Sequence, residues 1–454
     1  MEDAKHHNCK MNHIGTKLMF FEWLLLGIGV ITISFDTVLI FELDHYTIRV
    51  SFILLAIFGL LQHMKHFVFG IPFLKANLFG NYIFIFIVIL VLSIFKTAYL
   101  VKSIGYLFYA LYFIILVYFP FECSIDTKSA GIKLLKYIFL GLFLTDTFAI
   151  IQFIYGILTG HGLLVNSWFF WFPRIQGFSY EPSYFVMYNL TFFPLLFVLY
   201  MEGSRILNRM FLFWLVVISV IAIILSTSRS GWVILGITVS YYFVKYMKRR
   251  KKMEYRRFWK LVAFFFLIMV ILIVVFYSQI IRFIHVAFIL LKMAIDVNEP
   301  SSTRPRLTST ILAIKVFAKN PVMGVGLGGY GAYVKNWLNL SGDPYSIVTS
   351  NLWAELLAEL GIFGFLTFLC MIIKCIKNIL TGIKLAQDRE IKLVLQGIYA
   401  SIIVTFFLTY QFNQTLYRGY VWLLLSLGAV FWRLGIAEYK NRNKNYRQYS
   451  TTLD

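Results

Sequence analysis

The sequence predicts an all-α, polytopic membrane helix bundle of about 12 transmembrane helices, with a long outer loop that contains short amphipathic helices. Of the 454 residues, 60% are hydrophobic and only 14% are charged, whereas soluble chains are about a quarter charged. Apolar runs long enough to cross ~30 Å of hydrocarbon recur along the whole chain. Basic residues gather in the connections between them. We therefore expect one membrane domain, 1–454.

Each predicted span is a largely apolar run bounded by polar or basic residues. The predicted spans are 18–35, 46–62, 78–95, 103–119, 134–157, 183–201, 210–226, 231–247, 259–278, 352–373, 392–411 and 418–434. The segment 280–294 is apolar but contains Arg282, His285 and Lys292. We interpret it as an interfacial helix or a continuation of the ninth span, because another crossing would put the basic tail outside.

The positive-inside rule orients these spans. The strongest signal is KRRKKMEYRRFWK at 248–260, so we assign the basic loop 248–258 to the cytoplasm. The same side then receives both termini, the basic tail 435–454 and the loops 62–77, 120–133, 202–209 and 374–391. The outer loops are 158–182 and 279–351. Topology explains the net charge of +21, so no nucleic-acid partner is expected.

Two outer positions stand out in the loop 158–182. Arg174 and Glu181 lie beside Gly177 and Pro182, at the mouth of the next predicted helix. Loops held by a rigid scaffold often carry function, which favours a role in a site. An ion pair that only fixes the loop is the alternative interpretation.

A second feature is Ser226-Thr227-Ser228-Arg229-Ser230-Gly231, which joins two apolar spans with almost no loop. An arginine at that depth is costly, so it usually has a partner or a function. The hydroxyl residues and Gly231 would open a helix whose N-terminus favours anions. A snorkelling arginine is the structural alternative.

A third feature is Ser301-Ser302-Thr303-Arg304-Pro305-Arg306. Pro305 suits the first turn of a helix, and two arginines there would favour phosphate. Apolar residues then follow at helical spacing, which predicts a helix along the membrane surface. They are Leu307, Ile311, Ile314 and Phe317. Contact with lipid phosphates is the alternative role for the arginines.

The segment Gly324–Gly329 matches G-x-G-x-x-G, the fingerprint of dinucleotide-binding folds. No βαβ pattern surrounds it, so a tight turn toward the bilayer is the preferred interpretation. The sequence has no H-E-x-x-H motif and no paired-aspartate metal motif. No metal and no cofactor are therefore expected.

Arg174, Arg229, Arg304 and Arg306 come from three segments that the topology puts on one face. Several arginines at the outer membrane boundary suggest a large anion, because guanidinium groups bind phosphate bidentately. A lipid-linked diphosphate has its head at that depth. Glu181 could then act as a base toward a hydroxyl group.

These residues carry a resemblance to a known family. The order of motifs is R-x-x-G-x-x-x-E-P-S-x-F from Arg174, S-T-S-R-S-G-W at 226–232, R-x-R, N-P-V-x-G-V-G at 320–326, and N-x-x-x-E-x-x-x-E-x-G-I-x-G at 351–364. In this order they resemble the O-antigen polymerase and ligase superfamily. The resemblance covers most of the chain beyond about residue 130.

The resemblance implies a metal-independent, inverting glycosyltransferase that acts on undecaprenyl-diphosphate-linked oligosaccharides. The polymerase branch is favoured, because ligases carry a histidine beside an asparagine where this chain has Ser350-Asn351. The ligase, which transfers glycan to lipid A core, stays the alternative, with His161 or His285 as substitutes. The implied catalytic residues are Glu181, Arg229 and Glu355. The implied diphosphate-binding residues are Arg174, Arg229, Arg304 and Arg306, and Tyr180 and Asn351 are implied in sugar binding.

The resemblance places the protein in the bacterial plasma membrane, with its active site on the outer face. Its expected partners are the lipid-linked oligosaccharide and membrane lipids, with a chain-length regulator and a flippase of the same pathway as further candidates. A lipid-linked oligosaccharide flippase is the alternative from another functional class. That class predicts internal repeats and polar residues at the midplane, whereas this chain gathers its unusual residues at one face.

Overall fold

A computed structural model describes residues 18–249 and 303–451, apart from 44–45, 71–76, 166–167, 170–171 and 413–415, and a few positions between 256 and 267. The described part is predominantly helical, as predicted. The predicted span 259–278, except for a few helical positions, and the segment 280–294 lie outside the described residues. So do most of the basic loop 248–258 and the side chain of Arg304.

The described helices follow the predicted order of apolar runs. They are α1 (Phe20–Ile31), α2 (Val50–Val68), α3 (Tyr82–Ser93), α4 (Leu100–Ser124), α5 (Lys128–Thr159), α6 (Pro182–Glu202), α7 (Arg209–Leu225), α8 (Arg229–Arg249), α9 (Thr303–Lys319), α10 (Tyr330–Leu338), α11 (Leu352–Leu385), α12 (Arg389–Gln411) and α13 (Gly419–Thr451).

Within the described residues, seven helices are long and apolar enough to cross a membrane, namely α2, α4, α5, α6, α11, α12 and α13. The apolar helices at the positions of α1, α3 and α7 are shorter. A membrane protein with several spans is therefore confirmed, whereas the total of about 12 stays a prediction.

Two short antiparallel ribbons depart from the all-α prediction. The first pairs β1 (Ile40–Leu43) with β2 (Tyr46–Arg49), and the second pairs β3 (Trp168–Phe169) with β4 (Phe172–Pro173). Both lie in connections between helices. Backbone polar groups that leave a helix need new hydrogen bonds, and a short ribbon supplies them.

The centre of the bundle is built on α6 and α13. In its most apolar stretch α6 is buried over 94% of its residues, and α13 over 78%. A helix that is apolar on all sides belongs in a core. Gly397 of α12 lets this helix approach α6 closely, because a Cβ there would overlap Leu195. Small residues at such crossings bring membrane helices together.

Asp146 is a fully buried acid in the middle of α5. Its Oδ2 accepts a hydrogen bond of 2.6 Å from the hydroxyl of Ser219 in α7. The acid in α5 is therefore hydrogen-bonded to a neighbouring helix. Such bonds satisfy polar groups in the membrane core.

Several loops predicted to be cytoplasmic meet at one end of the bundle. The Lys128 amine pairs with the Asp388 carboxylate, and the Ser204 hydroxyl donates to Glu390. Asn378 Nδ2 donates to the carbonyl of Leu78 at 2.7 Å. These contacts join the loops near 120–133, 202–209 and 374–391 at that end. The side of the membrane on which this end lies stays a prediction.

The segment 279–351, which the sequence predicts to be an outer loop, contains α9 and α10 in its described part, and its location on the outer side stays a prediction. Ala313 and Val316 of α9 pack with Val325, Ala354 and Ala358. The opposite side of α9 exposes Leu307, Ile311 and Ile314. Among the residues that the structure describes, this helix is therefore apolar on both sides but packed against protein on only one.

Candidate functional site

A buried glutamine shapes the loop that carries Arg174. Gln152 of α5 is fully buried, and its Nε2 donates to the carbonyls of Leu163 (3.0 Å) and Gly177 (2.9 Å). Its Oε1 accepts from the amides of Gln176 (3.3 Å) and Gly177 (2.9 Å). Gly177 has a φ of +56°, a conformation that favours glycine. The two ends of one amide therefore fix the loop around Gly177.

The next residue, Phe178, attaches this loop to the connection that follows α1. Its carbonyl accepts from the backbone amides of Asp36 (2.8 Å) and Thr37 (3.1 Å) and from the hydroxyl of Thr37 (3.0 Å). Its ring stacks on Phe148 with centroids 4.2 Å apart. The 174–181 segment is thus held against α5 and against the connection that follows α1, before α6 begins.

Arg174 joins this loop to the turn between α7 and α8. Its Nε donates to the Thr227 hydroxyl at 2.9 Å. Burial lowers the pKa of Arg174, Glu181 opposes that shift, and the charges of Arg229 and Arg306 lower the pKa further. Charges interact in this way only at short range. Arg174, Glu181, Arg229 and Arg306 therefore form one electrostatic group.

The turn at 226–230 is strained. Thr227 has a φ of +54°, which is uncommon for a β-branched residue. The Ser226 hydroxyl donates to the carbonyl of Ile223 at 2.6 Å, and the amide of Ser228 donates to Ser226 Oγ at 3.3 Å. Backbone strain of this kind costs about 1–3 kcal/mol and clusters at functional sites. Here it lets α8 start directly at Arg229.

Glu181 is the N-cap residue of α6, and Pro182 takes the first helical position. Its carboxylate accepts a hydrogen bond from the Ser183 hydroxyl. Tyr180 is 65% exposed beside it. The acid and the exposed ring therefore lie at the rim of the group formed by Arg174, Arg229 and Arg306.

Arg304 and Arg306 lie in the first turn of α9. Arg306 is partly buried and belongs to the electrostatic group of Arg174. The side chain of Arg304 lies outside the described residues, so its predicted place in the group stays a prediction.

Glu355 lies in a second group of residues. It is 9% exposed and lines a small cleft with Leu327, Leu352 and Tyr417. Its charge acts on the buried amine of Lys102. Lys102 lies in the first turn of α4, so Glu355 is linked to α4 rather than to the turn at Arg229. Its predicted role as a base therefore concerns a different pocket from that of Glu181.

The predicted tight turn at Gly324–Gly329 is held by α11. The Glu359 carboxylate accepts from the amides of Gly328 (2.8 Å) and Tyr330 (3.4 Å). Gly361 kinks α11 with a φ of +66°, and a Cβ there would overlap the carbonyl of Val322. The two glycine-containing motifs at 320–326 and 351–364 therefore pack against each other.

Asn351 caps α11. Its side-chain oxygen accepts from the amides of Trp353 (2.9 Å) and Ala354 (3.2 Å), and its Nδ2 donates to Gln411 at 3.1 Å. These bonds satisfy a helix N-terminus. A contact with sugar would come in addition to this capping role, and that contact stays a prediction.

Sequence reasoning missed a buried ion cluster at the same end of the bundle. Asp36 pairs with Arg49 at 3.0 Å and with Arg418 at 2.7 Å. The Arg418 guanidinium also covers the ring of Tyr184 at 3.6 Å, one turn after Glu181. The cluster was not visible in the sequence, because Asp36, Arg49 and Arg418 are single charges on separate segments and only the tertiary structure brings them together.

The residues 214–369 match the family model described as O-antigen ligase. The matched region includes Arg229, Arg304, Arg306, the glycine turn and Glu355, whereas Arg174, Tyr180 and Glu181 precede it. No curated protein matches the chain. The match is consistent with the O-antigen polymerase and ligase superfamily, and it confirms the resemblance that the sequence motifs predicted.

Proposed function

We propose that the protein is a polymerase that joins undecaprenyl-diphosphate-linked oligosaccharide repeat units into a surface polysaccharide, such as O-antigen or capsule. The observation that supports this proposal is the hydrogen bond from Arg174 to Thr227, two residues before Arg229, together with the effect of the Arg229 and Arg306 charges on Arg174. Guanidinium groups bind phosphate oxygens bidentately and stay charged when partly buried. A diphosphate at the membrane surface is an anion of matching charge and size.

The proposed reaction is a single displacement. A sugar hydroxyl of one lipid-linked unit attacks the anomeric carbon of the chain on another. The new carbon–oxygen bond forms as the bond to the lipid diphosphate breaks, which inverts the anomeric centre. The arginines stabilise the charge that develops on the departing diphosphate. Glu181 takes the hydroxyl proton as general base, with its carboxylate oriented by the Ser183 hydroxyl.

Glu355 is the second candidate for the base. Its cleft is more apolar, because leucines and Tyr417 line most of it. In this assignment the acceptor sugar would enter between α11 and the segment that precedes α13. Comparing the two acids by amide substitution distinguishes the assignments, since only the base is required for proton removal.

The ligase is the second candidate function. The description of the matching family favours it, whereas Ser350-Asn351 lacks the histidine expected beside the asparagine. In both reactions the donor is the same lipid-linked glycan, and only the acceptor differs. We assign the site to the outer face of a bacterial plasma membrane and both termini to the cytoplasm.

The test uses purified protein in lipid discs with lipid-linked repeat units. A ladder of products supports the polymerase. Transfer only to added lipid A core supports the ligase, and movement of the lipid without bond formation supports a flippase. Arg229→Ala should reduce bond formation at least ~100-fold if the arginine stabilises the leaving group. Arg205→Ala is the matched control, because Arg205 is exposed at the opposite end. Full activity of Arg229→Ala would refute the diphosphate site.

A further inference from the structure

Helix α9 presents two different faces. On one face Ala313 and Val316 are fully buried against Ala354 and Ala358 of α11. The hydroxyl of Tyr330 donates to the carbonyl of Ser309 on this same side at 3.1 Å. These contacts fix the rotation of α9 about its own axis, and with it the direction in which the opposite face points.

The opposite face is apolar and exposed. Leu307, Ile311 and Ile314 are 60%, 46% and 51% exposed. Their spacing of four and three residues puts them in one stripe along the helix. A contiguous apolar surface of this kind marks contact with protein or membrane.

This stripe continues onto a helix that is long and apolar enough to cross a membrane. Val322, just beyond the end of α9, is 53% exposed, and its carbonyl contacts Gly361 of α11. On α11 itself, Phe363 and Leu366 are 58% and 46% exposed. Exposed apolar residues therefore lie on both helices, on either side of the contact between Val322 and Gly361.

The flank of α9 has the chemistry of a membrane interface. Lys315 and Lys319 are exposed, about 100° round the helix from the stripe. Lys319 also lies over the ring of Trp337 at 3.6 Å. Lysine and tryptophan beside an apolar stripe are typical of helices that lie in the headgroup region, where the amines meet lipid phosphates.

We propose that α9 is an interfacial helix whose Leu307–Ile311–Ile314 stripe is covered by lipid of the leaflet at the site. The start of the same helix carries Arg306, which interacts with Arg174. The bilayer thus fixes how deep α9 lies in the membrane interface, and the position of α9 fixes the depth of Arg306. The functional consequence rests on the proposed function: Arg306 would meet the diphosphate at the level of the lipid phosphates.

The lipid contact is tested without any activity measurement. Single cysteines at Ile311 and Ile314, in a background without the four native cysteines, receive a bimane label in lipid discs that contain brominated phospholipid. Thr308→Cys is the matched control, because Thr308 is exposed on the polar flank of the same helix. We expect at least a twofold stronger quenching at 311 and 314 than at 308.

Two outcomes overturn the proposal. Equal quenching at all three positions means that the stripe has no preferred contact with lipid. Weak quenching by both brominated lipid and aqueous iodide at 311 means that a second copy or another protein covers it.

If the lipid pattern holds while Arg306→Ala still forms full-length polymer, the interfacial helix stands and the diphosphate site fails. If the pattern holds and Ile311→Glu slows bond formation several-fold at unchanged abundance, both stand.

Discussion

Removing the Asp36 carboxylate should destabilise the fold more than removing any exposed acid of similar chemistry. The Asp36 side chain is 3% exposed and pairs with Arg49 and Arg418, which are 16% and 9% exposed. In Asp36→Asn, two buried guanidinium groups would face a neutral amide. These two guanidinium groups also repel each other. The substitution thus removes the attraction that offsets both their burial and their repulsion.

The expected magnitude follows from burial. Breaking a buried ion pair by removing one partner costs about 3–5 kcal/mol, because a charge is left uncompensated. The control is Asp388→Asn, whose acid is 28% exposed and pairs with Lys128 at 39%. An exposed pair is worth about 0–1 kcal/mol. Asparagine can also keep the helix cap that Asp388 provides for α12.

Thermal unfolding in detergent measures the difference. Cys375 is a buried thiol, so a thiol-reactive dye reports its exposure on unfolding. Asp36→Asn should lower the midpoint clearly more than Asp388→Asn. Adding Arg418→Met to Asp36→Asn should restore part of the lost thermal stability, since one uncompensated charge is then removed. Equal midpoints for the two single variants would refute the argument from burial.

Three further predictions use the same unfolding measurement. Gly361→Ala should cost at least about 1–3 kcal/mol, because alanine is strained at its φ of +66° and would overlap Val322. Gly236→Ala, in open space within α8, should be neutral or stabilising, and a loss as large as that of Gly361→Ala would contradict this reasoning. Asn351→Ala should cost about 1 kcal/mol through the lost cap, and Asn351→Asp should retain most of the stability. An equal loss in both would assign the effect to the bond with Gln411.

The last of the three concerns pH. Burial raises the pKa of Asp388, but hydrogen bonds from Lys128 and the first turn of α12 lower it more, so the folded pKa lies below its ordinary value. A lowered folded pKa contributes stability at pH values above the ordinary pKa of about 3.9 and loses it as pH falls through the folded pKa. Asp388→Asn should therefore flatten the acid limb of the stability curve. An unchanged loss of stability at low pH would mean that other acidic residues dominate the acid limb of the curve.

Much of the site could be found in the sequence because its residues are chemically conspicuous. Arg229 stands between two apolar runs with no loop, and Arg174 and Glu181 flank glycine and proline at a helix mouth. Charge at the edge of an apolar run is visible without any tertiary information. The role of Glu359 was not visible, because sequence cannot tell a carboxylate that faces a substrate from one that accepts hydrogen bonds from backbone amides. Glu359 does the latter, at Gly328 and Tyr330.

The sequence by itself determined the membrane class, the helical character and the position of the described spans. Those properties follow from the solvent, since a bilayer accepts only long apolar segments whose backbone bonds are satisfied internally. Only the tertiary structure decided which distant residues meet, such as Arg174 with Thr227, or Asp36 with Arg418. Every helix in such a bundle is apolar, so hydrophobicity cannot specify its neighbour. The neighbour is chosen by close packing at small residues and by a few buried polar pairs.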